Sequence, residues 1–126
     1  MDLEYLYRRA YDIADSECVM KKRHVSFVLS AHTGDILSSG VNRPSVTIDG
    51  AYRSLHSERD AVLRAGTSVD ELVLVNFRLN KSGDLRNSKP CPLCWEWARD
   101  TFSSVYYSTD QGMVLVVPFR TPIGRL

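Results

Sequence analysis

The sequence has few cysteines and almost no net charge. Only three of its 126 residues are cysteine, an odd number, so the chain does not resemble a secreted disulfide framework. Sixteen Lys and Arg against fifteen Asp and Glu give a formal net charge of +1, which provides no overall field for nucleic acid or an anionic membrane. A reducing compartment is therefore expected.

Long apolar runs are also missing. No run approaches the roughly 20 residues of a membrane-spanning helix. The first seventeen residues mix charged and apolar side chains, unlike a signal peptide or a basic transit segment. With 44% hydrophobic and 25% charged residues, the composition is globular. We expect one domain over residues 1–126, in the cytoplasm or the nucleus, with no membrane partner.

The hydrophobic pattern predicts the element order α-β-β-α-β-α-β-β. Helices are expected over 2–19, over 55–65 and from the Pro90-Pro92 pair onward, and strands over 24–30, 35–41, 71–79, 105–107 and 113–117. The polar stretches 42–54 and 80–90 have no period and are predicted loops. The short link 108–112 fits an antiparallel last pair, because parallel strands need a longer crossover. The result is an α/β fold: a mixed five-stranded sheet with helices on both faces.

Two cysteines at the entrance of the third helix are candidate metal ligands. Cys91 and Cys94 lie at i and i+3, on one side of a first turn, where the helix dipole favours thiolates. His56, at the entrance of the second helix, can add a third ligand and leave the fourth position of a tetrahedral zinc open. A structural zinc site or a redox pair is the alternative, although a four-ligand site has only Cys18 as a spare thiol. Cys18 is more typical of a small buried hydrophobe.

Glu58 follows His56 by two residues, within the same helical turn. A carboxylate there can accept a proton from water at the metal and pass it to a leaving amine. A redox pair would leave both His56 and Glu58 unexplained. The pattern thus favours a catalytic metal site over the structural and redox alternatives.

These residues resemble a known signature. His56-Ser57-Glu58 followed by Pro90-Cys91-Pro92-Leu93-Cys94 is similar to the His-x-Glu and Pro-Cys-x-x-Cys pattern of the zinc nucleobase deaminases, and the element order is also theirs. The chain resembles the cytidine and deoxycytidylate deaminase superfamily. The resemblance implies a three-layer cytidine-deaminase-like fold, one zinc ion per chain and a dimer or tetramer.

The resemblance also implies roles for individual residues. His56, Cys91 and Cys94 would bind zinc and Glu58 would be catalytic. Asn42, in the stretch Gly-Val-Asn-Arg-Pro, would contact the substrate sugar, and the amide of Ser57 and carbonyl of Lys89 would contact the pyrimidine edge. Two features depart from the family: Ser57 stands where alanine is usual, and the loop 80–89 matches no subfamily.

The implied activity is hydrolytic deamination of cytosine to uracil on a free nucleoside or nucleotide, with release of ammonia. In the family, an antiparallel last pair accompanies free-nucleoside deaminases and several toxins. A stretch closely similar to Gly-Val-Asn-Arg-Pro, Gly-x-Asn-Arg-Pro, occurs in bacterial tRNA adenosine deaminases, so a cytosine or adenine in RNA or single-stranded DNA is an alternative substrate. Its phosphates would contact a basic track of Arg43, Arg53, Lys81, Arg86 and Lys89. A catalytically inactive, zinc-stabilised interaction module is the other alternative.

Several aromatic residues near the motifs have open roles. Trp95 and Trp97, at i and i+2, cannot share one helix face, so one is expected to pack on the sheet. The other borders the pocket or a subunit contact, or simply packs. Tyr52 either contacts the base or lies at the loop surface. The C-terminal residues 118–126 either cover a neighbouring subunit's site or fray.

Overall fold

The computed structural model describes residues 1–17, 23–46, 52–66 and 71–119. Its helices are α1 (Leu3–Glu17), α2 (Ser57–Ala65) and α3 (Pro92–Thr101). Its strands are β1 (Arg23–Ser30), β2 (Ile36–Val41), β3 (Arg43–Val46), β4 (Tyr52–Leu55), β5 (Leu72–Leu79), β6 (Leu85–Arg86), β7 (Ser104–Ser108) and β8 (Val114–Pro118). Cys18 and residues 120–126 lie outside the described residues.

The main sheet is mixed. Its strands follow the order β2-β1-β5-β7-β8, with the short β6 pairing to the end of β5. β5 and β7 are parallel, whereas β1–β2, β1–β5, β5–β6 and β7–β8 are antiparallel. The parallel pair needs a crossover, and α3 supplies it. The central strand β5 is nearly continuous in apolar residues because helices cover both of its faces.

The helices form the two outer layers. α1 covers one face of the sheet, where Ala10 and Ala14 are buried and their small side chains allow close approach to the strands. The other face is covered by α2 and α3. Their buried Ala61 and Ala98, with the C-cap residue Phe102 that follows α3, pack with apolar residues of β1, β5 and β7. The predicted α/β architecture, with helices on both faces and an antiparallel last pair, is confirmed. The sheet has six strands and not the predicted five, because Leu85 and Arg86 add the short β6.

Helix α2 lies very close to β2 because Gly40 has no side chain. A Cβ atom at Gly40 would overlap the backbone nitrogen of Ala61 and lie 2.7 Å from the carbonyl oxygen of Ser57. Ser38, two residues earlier, donates from Oγ to the carbonyl oxygen of Ala61 at 2.6 Å. Gly40 therefore sets the distance between the sheet and the helix that begins at the predicted site.

Two predicted loops contain strands. Within 42–54, β3 and β4 pair as an antiparallel ribbon in which Arg43 opposes Leu55 and Val46 opposes Tyr52. Pro44 suggested a loop, but a two-stranded ribbon tolerates proline because it has free edges. Within 80–90, Leu85 and Arg86 pair with the end of β5. Among the described residues, no helix is both long and apolar enough to cross a membrane.

Candidate metal centre and its surroundings

The three predicted metal ligands lie together although two of them are far from the third in sequence. The ligand atoms of His56, Cys91 and Cys94 all lie within 4.8 Å of one another. His56 is the N-cap of α2 and makes no side-chain capping bond; its Nδ1 instead lies 3.1 Å from Sγ of Cys94. Cys91 is the N-cap of α3, and its Sγ accepts a hydrogen bond from the amide of Cys94 at 3.5 Å. Two helix N-termini therefore converge on the group.

The donor set fits a zinc ion. One imidazole nitrogen and two sulfurs are zinc's usual ligands, and at normal bond lengths a tetrahedral ion holds such atoms about 3.6–3.8 Å apart. The observed grouping is compatible with that spacing after small side-chain movements. Within the described parts of the chain, the group has three members, and Glu58 is not one of them. The residues thus fit a site with three protein ligands, which is typical of catalytic zinc.

The sulfur of Cys94 is difficult to ionise without a cation. Burial raises the pKa of Cys94 to about 12, helped by the hydrogen bond with Cys91 and the negative charge of Glu58, while the charge of Arg59 opposes the shift. The helix dipole was expected to favour a thiolate, but burial is the larger effect here. A divalent cation would offset this cost by stabilising the thiolate directly.

Glu58 is buried in the first turn of α2, with only 6% of its surface exposed. Its Oε1 lies 3.2 Å from the Oγ of Ser57, and its charge acts on the Cys94 sulfur. A carboxylate so placed is close to the candidate metal ligands without joining them. This is the arrangement that a group exchanging protons at the site requires.

Asn42 is held against the same helix by a residue that sequence reasoning missed. The buried Asp60 accepts with Oδ2 from the amide of Val41 at 3.0 Å and from Nε of Arg43 at 3.1 Å, the two neighbours of Asn42. Asn42 itself is buried and accepts with Oδ1 from the amide of His24 at 3.1 Å. Asp60 therefore fixes the position of Asn42 relative to α2.

The Asp60 contacts belong to a larger ion-pair group. Arg43 also bonds Glu17 at 3.1 Å, and Arg64 lies 3.4 Å from Asp60 along α2. The hydrogen bond to Asp60 is the main cause that raises the pKa of Arg43. The i, i+4 pair of Asp60 and Arg64 was visible in the sequence, but nothing local indicated that Arg43 would join it.

A chain of buried polar side chains connects Glu58 to the sheet. Ser57 contacts Ser26 of β1 at 2.7 Å, and Ser26 donates to Oδ1 of Asn76 in β5 at 2.6 Å. Asn76 then donates from Nδ2 to the carbonyl oxygen of Ser88 at 3.3 Å. Sequence reasoning missed these residues as well. The available signal was two polar residues, Ser26 and Asn76, inside strands that are otherwise apolar.

Both tryptophans take part in packing. Trp95 meets Tyr107 and Phe119 edge-on, with ring centroids 6.2 and 5.2 Å apart. Trp97 meets Phe102 edge-on at 5.6 Å, and the guanidinium of Arg59 lies 4.6 Å from its ring centroid. The expectation that one tryptophan packs on the sheet fits Trp95, which contacts β7. For Trp97 the packing interpretation fits best.

The basic track proposed for phosphates is partly engaged elsewhere. Arg43 is bound to Asp60 and Glu17, and the ammonium of Lys89 lies 5.1 Å from the Trp95 ring centroid. Lys81 and Arg86 are exposed, and the side chains of Tyr52 and Arg53 lie outside the described ones. Two of the five cations therefore already have partners within the chain.

Comparison with solved structures shows a known fold. No family model and no curated protein matches the sequence. Among solved structures, the cytidine deaminase from Mycobacterium leprae superposes with a TM-score of 0.63, over 92% of this chain and 93% of that chain, at 16% sequence identity. At that identity the similarity concerns the fold. The chain has a cytidine-deaminase-like fold, with a His/Cys/Cys group that could bind a metal ion.

Proposed function

We propose that the protein is a zinc-dependent hydrolytic deaminase that converts cytosine to uracil on a free nucleoside or nucleotide and releases ammonia. The observation that carries the proposal is the convergence of His56, Cys91 and Cys94 at two helix N-termini, beside the buried Glu58. The structural similarity to a cytidine deaminase supports it. A redox pair would explain neither His56 nor Glu58.

The residues of the site would have separate roles. His56, Cys91 and Cys94 would hold zinc. When bound, zinc lowers the pKa of water and so supplies a nucleophile near neutral pH. Glu58 would take a proton from water, deliver it to the ring nitrogen of the base, and assist the departure of ammonia.

Substrate orientation would come from the residues around the metal ligands. The amide of Ser57 lies in the first turn of α2, where backbone N–H groups have no partner within the helix, so it could donate to the pyrimidine edge. Lys89 would offer its carbonyl from the segment just before Pro90; its own amide donates to Oδ1 of Asn87 at 3.0 Å. Asn42 would contact the sugar.

The last strand pair favours a small substrate. β7 and β8 are antiparallel, which by family resemblance accompanies free-nucleoside deaminases. The ion pairs of Arg43 with Asp60 and Glu17 support the same choice, because they already occupy one of the five cations of the proposed phosphate track. A base within RNA or single-stranded DNA is therefore the second candidate, and an inactive interaction module the third.

Ammonia release from zinc-loaded protein tests the proposal. The substrate panel would contain cytidine, deoxycytidine, their monophosphates, adenosine, guanine and short oligonucleotides. Turnover of a free cytosine nucleoside or nucleotide is expected. Turnover of oligonucleotides alone, with binding that weakens steeply as salt is added, would favour the polynucleotide alternative. No ammonia from any member would contradict the enzyme and favour the interaction module.

A further inference from the structure

Glu58 is connected to the centre of the sheet through three buried side chains. The contacts run from Oε1 of Glu58 to Ser57 (3.2 Å), from Ser57 to Ser26 (2.7 Å) and from Ser26 to Asn76 (2.6 Å). We propose that Ser57 is a positioning residue for Glu58 and that Ser26 and Asn76 hold Ser57 in place. The inference rests on the proposed function, because it assigns Glu58 the proton-transfer role.

The direction of the hydrogen bonds is fixed from the Asn76 end. The amide nitrogen of Asn76 donates to the carbonyl of Ser88, so its oxygen faces Ser26 and must receive that residue's hydroxyl hydrogen. The hydrogen between the two serines therefore comes from Ser57. Since Ser57 has a single hydroxyl hydrogen, Ser26 and Glu58 compete for it as acceptors.

This competition leaves Ser57 beside Glu58 in either arrangement. With its hydrogen on Ser26, Ser57 presents an oxygen lone pair to Glu58; after rotation of the hydroxyl, it can donate to a Glu58 oxygen. In both arrangements the Oγ atom of Ser57 stays beside Oε1, so the carboxyl group keeps its orientation.

Asn76 also contacts the segment that leads to the two cysteines. Ser88 donates from its Oγ to the carbonyl oxygen of Asn76 at 2.9 Å, while its own carbonyl accepts from the Asn76 side chain. Ser88 also exchanges bonds with Ser108 at the end of β7. Asn76 thus ties the first turn of α2 to the segment that leads into Cys91, so Glu58 and the cysteine pair share one support.

The three polar side chains are buried where apolar side chains would be expected. Ser57 and Asn76 are each 2% exposed and Ser26 is 0% exposed, and they lie in the layer between α2 and the sheet face that carries Val28 and Leu74. Apolar residues would fill this layer without needing hydrogen-bond partners. A structural role alone predicts a loss of stability on substitution, whereas a positioning role predicts a change at Glu58 itself.

The test compares Ser57→Ala, Ser57→Thr and Ser26→Ala with Ser30→Ala. Ser30 is a matched control, since it is buried in the same strand but its Oγ contacts the amides of His32 and Thr33 in the following turn. Because a hydrogen bond to a charged group is lost, Ser57→Ala should lower kcat about tenfold. KM and zinc content should stay within about twofold. Complete loss is not expected, because alanine is usual here in the family.

Ser57→Thr, which keeps the hydroxyl, should restore most of the rate, and Ser26→Ala should lower kcat in the same direction as Ser57→Ala. Ser30→Ala should leave kcat unchanged. Crystal structures provide a readout independent of activity: Glu58 should occupy one rotamer in the unmodified protein and more than one in Ser57→Ala. A single unchanged Glu58 rotamer in Ser57→Ala would overturn the inference, whether or not ammonia is released. Unchanged kcat in Ser57→Ala, with active wild-type protein, would overturn it while leaving the proposed function intact.

Discussion

The Nδ1 atom of His56 lies 3.1 Å from the Sγ atom of Cys94, although 38 residues separate them in the chain. The contact joins the N-terminus of α2 to the first turn of α3. An imidazole nitrogen and a buried sulfur in contact are two of the donor atoms that a zinc ion could use.

Substitution of either of two ligands should weaken zinc binding. The wild-type chain should carry one zinc ion, measured by mass spectrometry of the metal in purified protein. His56→Ala and Cys94→Ala should each lower the zinc content several-fold, because two ligands hold the ion much less tightly than three. His32→Ala is the control, since His32 is exposed in a turn. Full zinc occupancy in either ligand variant would contradict the assigned site.

Glu58→Gln should separate chemistry from metal binding. The glutamine keeps the size of the side chain but cannot carry a proton, so ammonia release should fall by about 10²- to 10⁴-fold. Zinc content and the urea midpoint of unfolding should remain near wild type. Glu96→Gln, an exposed change on α3, should leave the rate unchanged. A Glu58→Gln variant with the wild-type rate would remove the residue from the mechanism.

Zinc affinity should increase with pH. Burial raises the pKa of Cys94 to about 12, so the metal-free protein holds a neutral thiol at pH 7.5–8.5, and zinc must displace its proton. Each displaced proton makes the affinity rise about tenfold per pH unit. Competition with a chelator at several pH values, and calorimetry in buffers of different ionisation enthalpy, measure this effect. Affinity independent of pH would show that no proton is released.

The raised pKa of Cys94 also makes the stability of the metal-free protein depend on pH. An unfolded chain ionises Cys94 above the ordinary thiol pKa of about 8.5, while the folded chain retains the proton. Unfolding then releases a proton, so the free energy of unfolding should decrease as the pH rises above that value. Added zinc should reverse the trend because it binds the folded thiolate.

Gly40→Ala should lower both the free energy of unfolding and the zinc affinity. The added methyl group would overlap Ala61 and approach the carbonyl of Ser57, so α2 must move away from β2. Such overpacking costs about 1–3 kcal/mol in the free energy of unfolding, measured by urea titration of metal-free protein. Because α2 carries His56, zinc affinity should fall as well.

Gly34→Ala is the comparison for Gly40. Gly34 has a φ of 76° and open space around its Cα, so alanine there costs about 1–2 kcal/mol of backbone strain without contacting the helix. Its zinc affinity should stay normal. Equal zinc affinity in the two variants would mean that α2 does not transmit the displacement to His56.

The sequence was most informative where a feature is local. The apolar run 71–79 predicts a central strand because covered strands need apolar residues on both faces, and β5 occupies Leu72–Leu79. Pro92 and the Cys91-Cys94 spacing predict a helix entrance because proline suits a first turn, and α3 begins at Pro92. The second helix, predicted over 55–65, occupies Ser57–Ala65 and ends before Gly66 as expected.

The features that the sequence did not predict depend on contacts between residues that are far apart in the chain. Ser26 and Asn76 become neighbours only through the register of β1 against β5, which sequence periodicity does not specify. Asp60 meets Val41 and Arg43 only because Gly40 lets α2 approach β2. The β3–β4 ribbon likewise depends on pairing across the segment between them, and its proline and glycine content favoured a loop.

In the described sheet, β5–β7 is the one parallel pair among otherwise antiparallel neighbours, and α3 is the connection it requires. The cysteine pair stands at the start of α3, so the β5-α3-β7 unit fixes the position of both sulfur atoms. Residues 80–87 lead from β5 towards this unit, and we expect that their sequence can change between related chains without moving the sulfur atoms.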